Sequence, residues 1–188
     1  MGNNDAIWSV SIPKSITHIG SEAFYHSSNI SSFNIHSDNE IYKTIDGCIF
    51  TKDGNTIVRV PIKTKYFDIP SGVVCIGDDA FEDSEITSVV IPDTVISVGS
   101  VAFARTPLIS IELPDSVETI GRQAFITNKS LLSVTIGSGI TSIGAACFAG
   151  SDALQDVYFK GKTLQQVKAM TYYPWNISDK SVIRAELE

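Results

Sequence analysis

Apolar residues in this chain come in short bursts that repeat. In "LISIEL" (108–113) and "LLSVTI" (131–136), Ile111 with Leu113 and Val134 with Ile136 stand two apart, the period of a strand with one buried face. The same phrase occurs as "IWSVSI" (7–12), "ISSFNI" (30–35), "ITSVVI" (86–91) and "LQDVYF" (154–159), often followed by proline, as at Pro92 and Pro114. A second phrase alternates with it: "ITHIGSEAF" (16–24), "VVCIGDDAF" (73–81), "VISVGSVAF" (95–103), "VETIGRQAF" (117–125) and "ITSIGAACF" (140–148). Its phenylalanines, Phe24, Phe81, Phe103, Phe125 and Phe148, are spaced 57, 22, 22 and 23 residues apart.

A period near 22 residues predicts a solenoid. One copy cannot bury its apolar edge alone, so copies stack and each apolar position becomes a column. One predicted column is Val10, Phe33, Val89, Ile111, Val134 and Val157; a second is Ile12, Ile35, Ile91, Leu113, Ile136 and Phe159. The phenylalanines predict an aromatic spine on the opposite wall. Gly99 and Gly121 predict a corner that needs positive φ or close backbone approach. Ala102 and Ala124 predict a place without room for a larger side chain, and Cys147, in the same column, reads as a small buried filler. Cys75 falls in an outward column with His18, Ser97, Thr119 and Ser142.

Two stretches leave the period. Residues 36–66 form an insertion in which Asp46-Gly47 and Asp53-Gly54 separate runs of β-formers, predicting antiparallel strands with tight turns. Such an insertion serves either a functional face or a patch on the solenoid flank. In residues 161–188, Thr163 and Gln166 form a capping box, Leu164, Val167 and Met170 follow at helical spacing, and Pro174 ends the helix. "SVIRAEL" (181–187) reads as a last strand, and Trp175 as a buried plug of the end cap.

These phrases resemble the BspA-type, or Treponema-type, leucine-rich repeat. The resemblance runs through Ile12-Pro13, Ile19-Gly20, Ala23-Phe24, Pro70, Ile76-Gly77, Ala80-Phe81, Pro92, Phe103, Pro114, Phe125, Ile143-Gly144 and Phe148. It implies one β-rich leucine-rich-repeat domain over 1–188, a right-handed superhelix with repeats at about 7–35 and 67–160, a β-hairpin insertion at about 36–66 and a helix/strand cap at 161–188. It also implies an extracellular or cell-surface protein, bacterial or protist, engaged in adhesion or host-protein binding.

Bulk composition narrows the partners. The chain has 188 residues, 43% of them hydrophobic, and a net charge of −7, a poor balance for the counterion release that drives nucleic-acid binding. Lys160, Lys162 and Lys168 read as a solvated face. No apolar run approaches the roughly 18 residues a membrane helix requires. "MGNNDAIWSV" has no basic n-region and no apolar h-region, so no export signal is read there, leaving an intracellular protein or a trimmed chain. Cys48, Cys75 and Cys147 fit neither a disulfide framework nor a zinc motif.

Chemistry is sparse. The slot after each repeat glycine reads Ser-Glu, Asp-Asp, Ser-Val, Arg-Gln and Ala-Ala, so no reactive type persists. No nucleophile elbow, phosphate loop or dinucleotide fingerprint occurs. His26, His36 and Asp38 are the one conceivable metal set, and they read as surface groups. Asn29, Asn128 and Asn176 stand in Asn-x-Ser sequons. No catalytic residue, cofactor or metal is assigned. An enzyme that used 36–66 as a lid would need a polar pocket beside it.

The outward side of the strand phrase remains. Trp8, Ser88, Val90, Ile109, Glu112, Leu132, Thr135 and Tyr158 are the candidate partner-binding residues, on the reading that large apolar groups among them face solvent together. The competing reading is a shift of strand phase that buries some of them. The predicted function is a module presenting a solenoid β-sheet to a protein or glycoprotein, without nucleic acid or membrane insertion. The alternative is a spacer, or a fragment of a longer repeat protein, capable of end-to-end self-association.

Overall fold

In the computed structural model, which describes residues 7–20, 23–24 and 27–187, the two phrases become two walls of a β-solenoid. The strand phrase forms the first wall: β1 (Ser9–Ile12), β2 (Ser32–Ile35), β6 (Tyr66–Asp68), β8 (Ser88–Val90), β10 (Ser110–Leu113), β12 (Ser133–Ile136) and β14 (Asp156–Thr163), ended by β15 (Ile183–Leu187). Pairing is parallel and in register, with Ile111 beside Val134 and Val134 beside Val157. The predicted columns hold, and they gain members from β6: Phe67 pairs with Val89, and Ile69 donates its N–H to the Val90 carbonyl at 3.0 Å.

The glycine phrase forms the second wall from two-residue strands, β7 (Cys75–Ile76), β9 (Ser97–Val98), β11 (Thr119–Ile120) and β13 (Ser142–Ile143). Ile76, Val98, Ile120 and Ile143 point inward. The chain then crosses back through turns that stack on one another. Phe81 N–H donates to Ala102 O at 2.8 Å, Phe103 to Ala124 at 2.8 Å, Phe125 to Cys147 at 2.9 Å and Phe148 to Trp175 at 3.2 Å. Trp175 thus takes the alanine position at the end of the stack, fully buried as the predicted plug, with its indole N–H on the Thr171 carbonyl at 3.0 Å.

Phe81, Phe103, Phe125 and Phe148 stack face to face, with centroids 4.7, 5.4 and 5.5 Å apart. Phe24 is not in that spine. It packs on Phe33 at 4.7 Å, because the insertion separates it from Phe81. Three residues after each phenylalanine lies a buried polar side chain: Ser27, Ser84, Thr106, Asn128 and Ser151. These close the turns, as when Thr106 N–H donates to Asn128 Oδ1 at 2.8 Å and Ser84 Oγ to Phe81 O at 2.7 Å. The Asn128 side chain of that sequon is therefore inside the fold.

The repeat glycines Gly77, Gly99, Gly121 and Gly144 answer to space, not to φ, whereas Gly20 in the first copy has open space around it. A Cβ on Gly121 would lie 2.4 Å from Ser100 N, and one on Gly144 2.4 Å from Arg122 N. The left-handed backbone instead falls two residues later, at Asp79, Val101, Gln123 and Ala146.

The insertion is a three-stranded meander: β3 (Tyr42–Ile45), β4 (Cys48–Thr51) and β5 (Thr56–Arg59). Asp46 (φ 49°) and Gly47 (φ 76°) make the two-residue turn between β3 and β4, as their identities demand. β5 pairs in parallel with β7, so the meander prolongs the second wall into a seven-stranded sheet. It also divides the interior. Cys48, Phe50 and Ile57 face the main core, whereas Ile49 and Val58 face a smaller cluster with Ile12, Ile30, Phe33, Ile35 and Tyr42. The insertion thus packs as a partition, with β4 covered on both faces.

At the C-terminal end the Thr163–Gln166 capping box is present, but α1 covers only Leu164–Lys168. It stops before Met170 and Pro174, earlier than the spacing predicts, because Ala169 already caps it and the chain must turn in to seat Trp175.

Candidate functional site

The first wall presents a grid of side chains set by the register. One row runs Tyr66, Ser88, Ser110, Ser133 and Asp156; another runs Asp68, Val90, Glu112, Thr135, Tyr158 and Arg184. Ile109 and Leu132 lie just before their strands and are neighbours, joined by the bond from Leu132 N–H to Ile109 O at 2.8 Å. The strand phase does not slip: Trp8 is 60% exposed, Val90 58%, Ile109 52% and Leu132 40%. Ser88 and Glu112 are exposed too, while Thr135 and Tyr158 are half-buried.

The predicted residues do not form one patch. Trp8 belongs to the β1–β2 pair, a separate two-stranded sheet beyond the partition, whereas Val90, Ile109, Glu112, Leu132, Thr135 and Tyr158 share the main stack. Sequence reading missed Tyr66, at 73% the most exposed large apolar side chain among the described residues, because its strand follows the insertion and lacks the full phrase.

It also missed a groove. β6 and β8 form one sheet, and β10, β12, β14 and β15 another, so no ladder joins β8 to β10 although the strands are adjacent. Over this seam opens a cavity of about 460 Å³ lined by Val89, Val90, Ile91, Asp93, Glu112, Pro114, Asp115, Ser116 and Lys160. The repeated Pro-Asp of 92–93 and 114–115 marks the turn after each strand but carries no sign of the broken ladder.

The groove's charges are held unequally. Asp115 Oδ1 accepts the Ser138 N–H at 2.8 Å, and this bond keeps its carboxyl below the usual range. Lys160 Nζ reaches Glu112 Oε1 at 2.6 Å, which raises the lysine pKa. The lysine comes from β14, two strands away. Lys162 Nζ donates to Ser138 O at 3.0 Å, so Lys160 and Lys162 are engaged rather than simply solvated.

A second polar cluster lies where the meander meets the stack. Arg59, 5% exposed, donates to the carbonyls of Asp79 and Glu82, and its guanidinium is 3.7 Å from the Glu82 carboxylate. Arg105 pairs with Asp83 at 2.8 Å and with Glu82. Burial pushes the Asp79 carboxyl up to about 6, with Glu82 adding to the rise and Arg59 opposing it. The cavity beside this cluster is about 40 Å³, room for water rather than for a substrate.

His36 Nδ1 accepts the Asp38 N–H at 3.2 Å on an exposed turn; His26 lies outside the described residues, and no three-ligand metal group occurs among the described ones. Among the described residues, no helix is long and apolar enough to cross a membrane.

Comparison with known proteins places this architecture. A leucine-rich repeat protein from Eubacterium ventriosum superposes with a TM-score of 0.78 over 95% of this chain and 48% of its own, at 19% identity. A leucine rich cell surface protein from Faecalibacterium prausnitzii gives 0.66 over 89% and 51%, at 26% identity. The pneumococcal vaccine antigen PcpA gives 0.60 over 85% and 46%, at 20% identity. The chain thus spans about half the length of these solved chains. No match was found among curated proteins. The sequence profile of the BspA type leucine rich repeat region matches residues 2–66 and 62–177 in six copies. With that repeat covering the chain and both walls built from it, the protein belongs to the BspA-type leucine-rich repeat family.

Proposed function

We propose that the chain is a protein-binding module that offers its first wall to a protein or glycoprotein partner at the cell surface. The carrying observation is the exposed apolar set Tyr66, Val90, Ile109 and Leu132 on the main stack. None of these is needed by the stack, whose inward positions are filled by other residues. Large apolar groups gathered on one face mark contact surfaces in soluble proteins. The surface location draws on the cell-surface neighbour described above.

The test is binding to a panel of immobilised extracellular glycoproteins, using the native chain and the double variant Ile109→Ser/Leu132→Ser. The native chain is expected to bind a panel member saturably. The variant, matched in circular dichroism and urea midpoint, is expected to bind at least about tenfold more weakly, ~1.4 kcal/mol. Equal affinity of the two proteins would move the contact off this wall.

A further inference from the structure

We propose that the groove over the β8–β10 seam seats a lysine or arginine side chain projecting from an extended segment of the protein partner. This rests on the reading of the first wall as the binding face and names the chemistry the wall selects.

The groove has an apolar floor and an acidic rim. Val89, Ile91 and Pro114, buried or half-buried, supply the floor, exposed Val90 the apolar edge, and exposed Asp93, Glu112 and Asp115 the acidic rim, with Lys160 as the cation of the lining. Three carboxylates against one ammonium leave the lining negative, in line with the chain's net charge of −7. A lysine or arginine suits both parts, because its methylene stem covers apolar surface while its charged head stays among polar groups. Acidic segments are repelled, and wholly apolar ones leave the carboxylates beside them without a partner.

The rim shows where the incoming cation goes. Glu112 already holds a cation of this protein, Lys160, brought from two strands away. Asp115 is tied to the Ser138 amide. Asp93 makes no hydrogen bond or ion pair among the described residues and stands exposed at the groove edge, so it is the open acceptor. Lys160 is then a competitor as well as a counter-ion: its charge opposes the partner's at the neighbouring carboxylate.

The experiment titrates isotopically labelled protein with two peptides, Gly-Ser-Arg-Val-Arg-Ser-Gly and Gly-Ser-Glu-Val-Glu-Ser-Gly, and follows backbone amide shifts. The arginine peptide is expected to shift residues 89–93 and 112–116 saturably, and the glutamate peptide to leave them in place. Asp93→Asn is expected to weaken the arginine peptide about tenfold, and Lys160→Met to strengthen it severalfold. Absence of shifts at the groove overturns the proposal, as do shifts spread over surface carboxylates and indifferent to Asp93→Asn. A glycoprotein partner lost in Ile109→Ser/Leu132→Ser yet unaffected by Asp93→Asn and Lys160→Met also overturns it, while leaving the first wall as the binding face.

Discussion

Val101 holds a left-handed backbone at φ 59°, a conformation that crowds a β-branched side chain. The stack imposes it, since Val101 N–H must meet Arg122 O at 3.0 Å for the next turn to dock. Val101→Asn keeps that bond and accepts the conformation, so it is expected to raise stability by about 1 kcal/mol, read as a higher urea midpoint with unchanged slope. Asp79 occupies the equivalent position one turn earlier, and there the issue is charge. Its folded pKa, about 6, lies above the usual value near 3.8, so between these limits the folded state holds the extra proton. Stability contributed by Asp79 therefore falls as pH rises through that window, and the penalty is fully present above it. Asp79→Asn is expected to stabilise the protein at neutral pH, and the gain should shrink as pH falls and vanish only below about pH 3, where both states are protonated; unfolding curves at neutral pH and below about pH 3 decide. The sequence announced a special backbone in this phrase but pointed to the glycine. Glycine answers to crowding as well as to φ, and composition alone does not separate the two. Here the crowding belongs to Gly121 and the φ to its second successor.

Cys48 and Cys147 show how elements decide the fate of a side chain. Cys48 sits in β4 of the partition, where burial pushes its thiol up to about 12. Cys147 fills the alanine column, and burial raises its thiol further still. Cys75 lies half-buried at the outer face of β7. A disulfide reagent added to the native protein is expected to modify one thiol, Cys75, and the other two only after denaturation. Mass spectrometry of tryptic peptides checks this, and rapid labelling of Cys48 in the native state would contradict the meander's packing. The element itself was half legible. Asp46-Gly47 between β-formers announced a hairpin through local turn chemistry. Its use as a partition was not announced, because that depends on β5 finding β7 and on both faces of β4 being covered, which are non-local facts. The polar ladder from Ser27 to Ser151 was hidden for a simpler reason. Ser, Thr and Asn each close the same turn, so no single letter recurs.

At the scale of the molecule, the period of about 22 residues made the two walls and their register readable, since every inward column repeats the same demand for apolar volume. The groove was not readable. β8 and β10 look alike in sequence, yet the ladder between them is broken while that between β10 and β12 is intact. The edge strand β15 displays Arg184 and Glu186, with Arg184 bound to Asp156, charges of the kind that discourage a further strand from adding. The partition has a last consequence. With Ile49 turned to one side of β4 and Cys48 and Phe50 to the other, a single strand is the shared hull plate of two compartments. Water admitted around Ile12, Ile30 and Phe33 is expected to meet the far side of that plate and to leave the phenylalanine stack behind it dry.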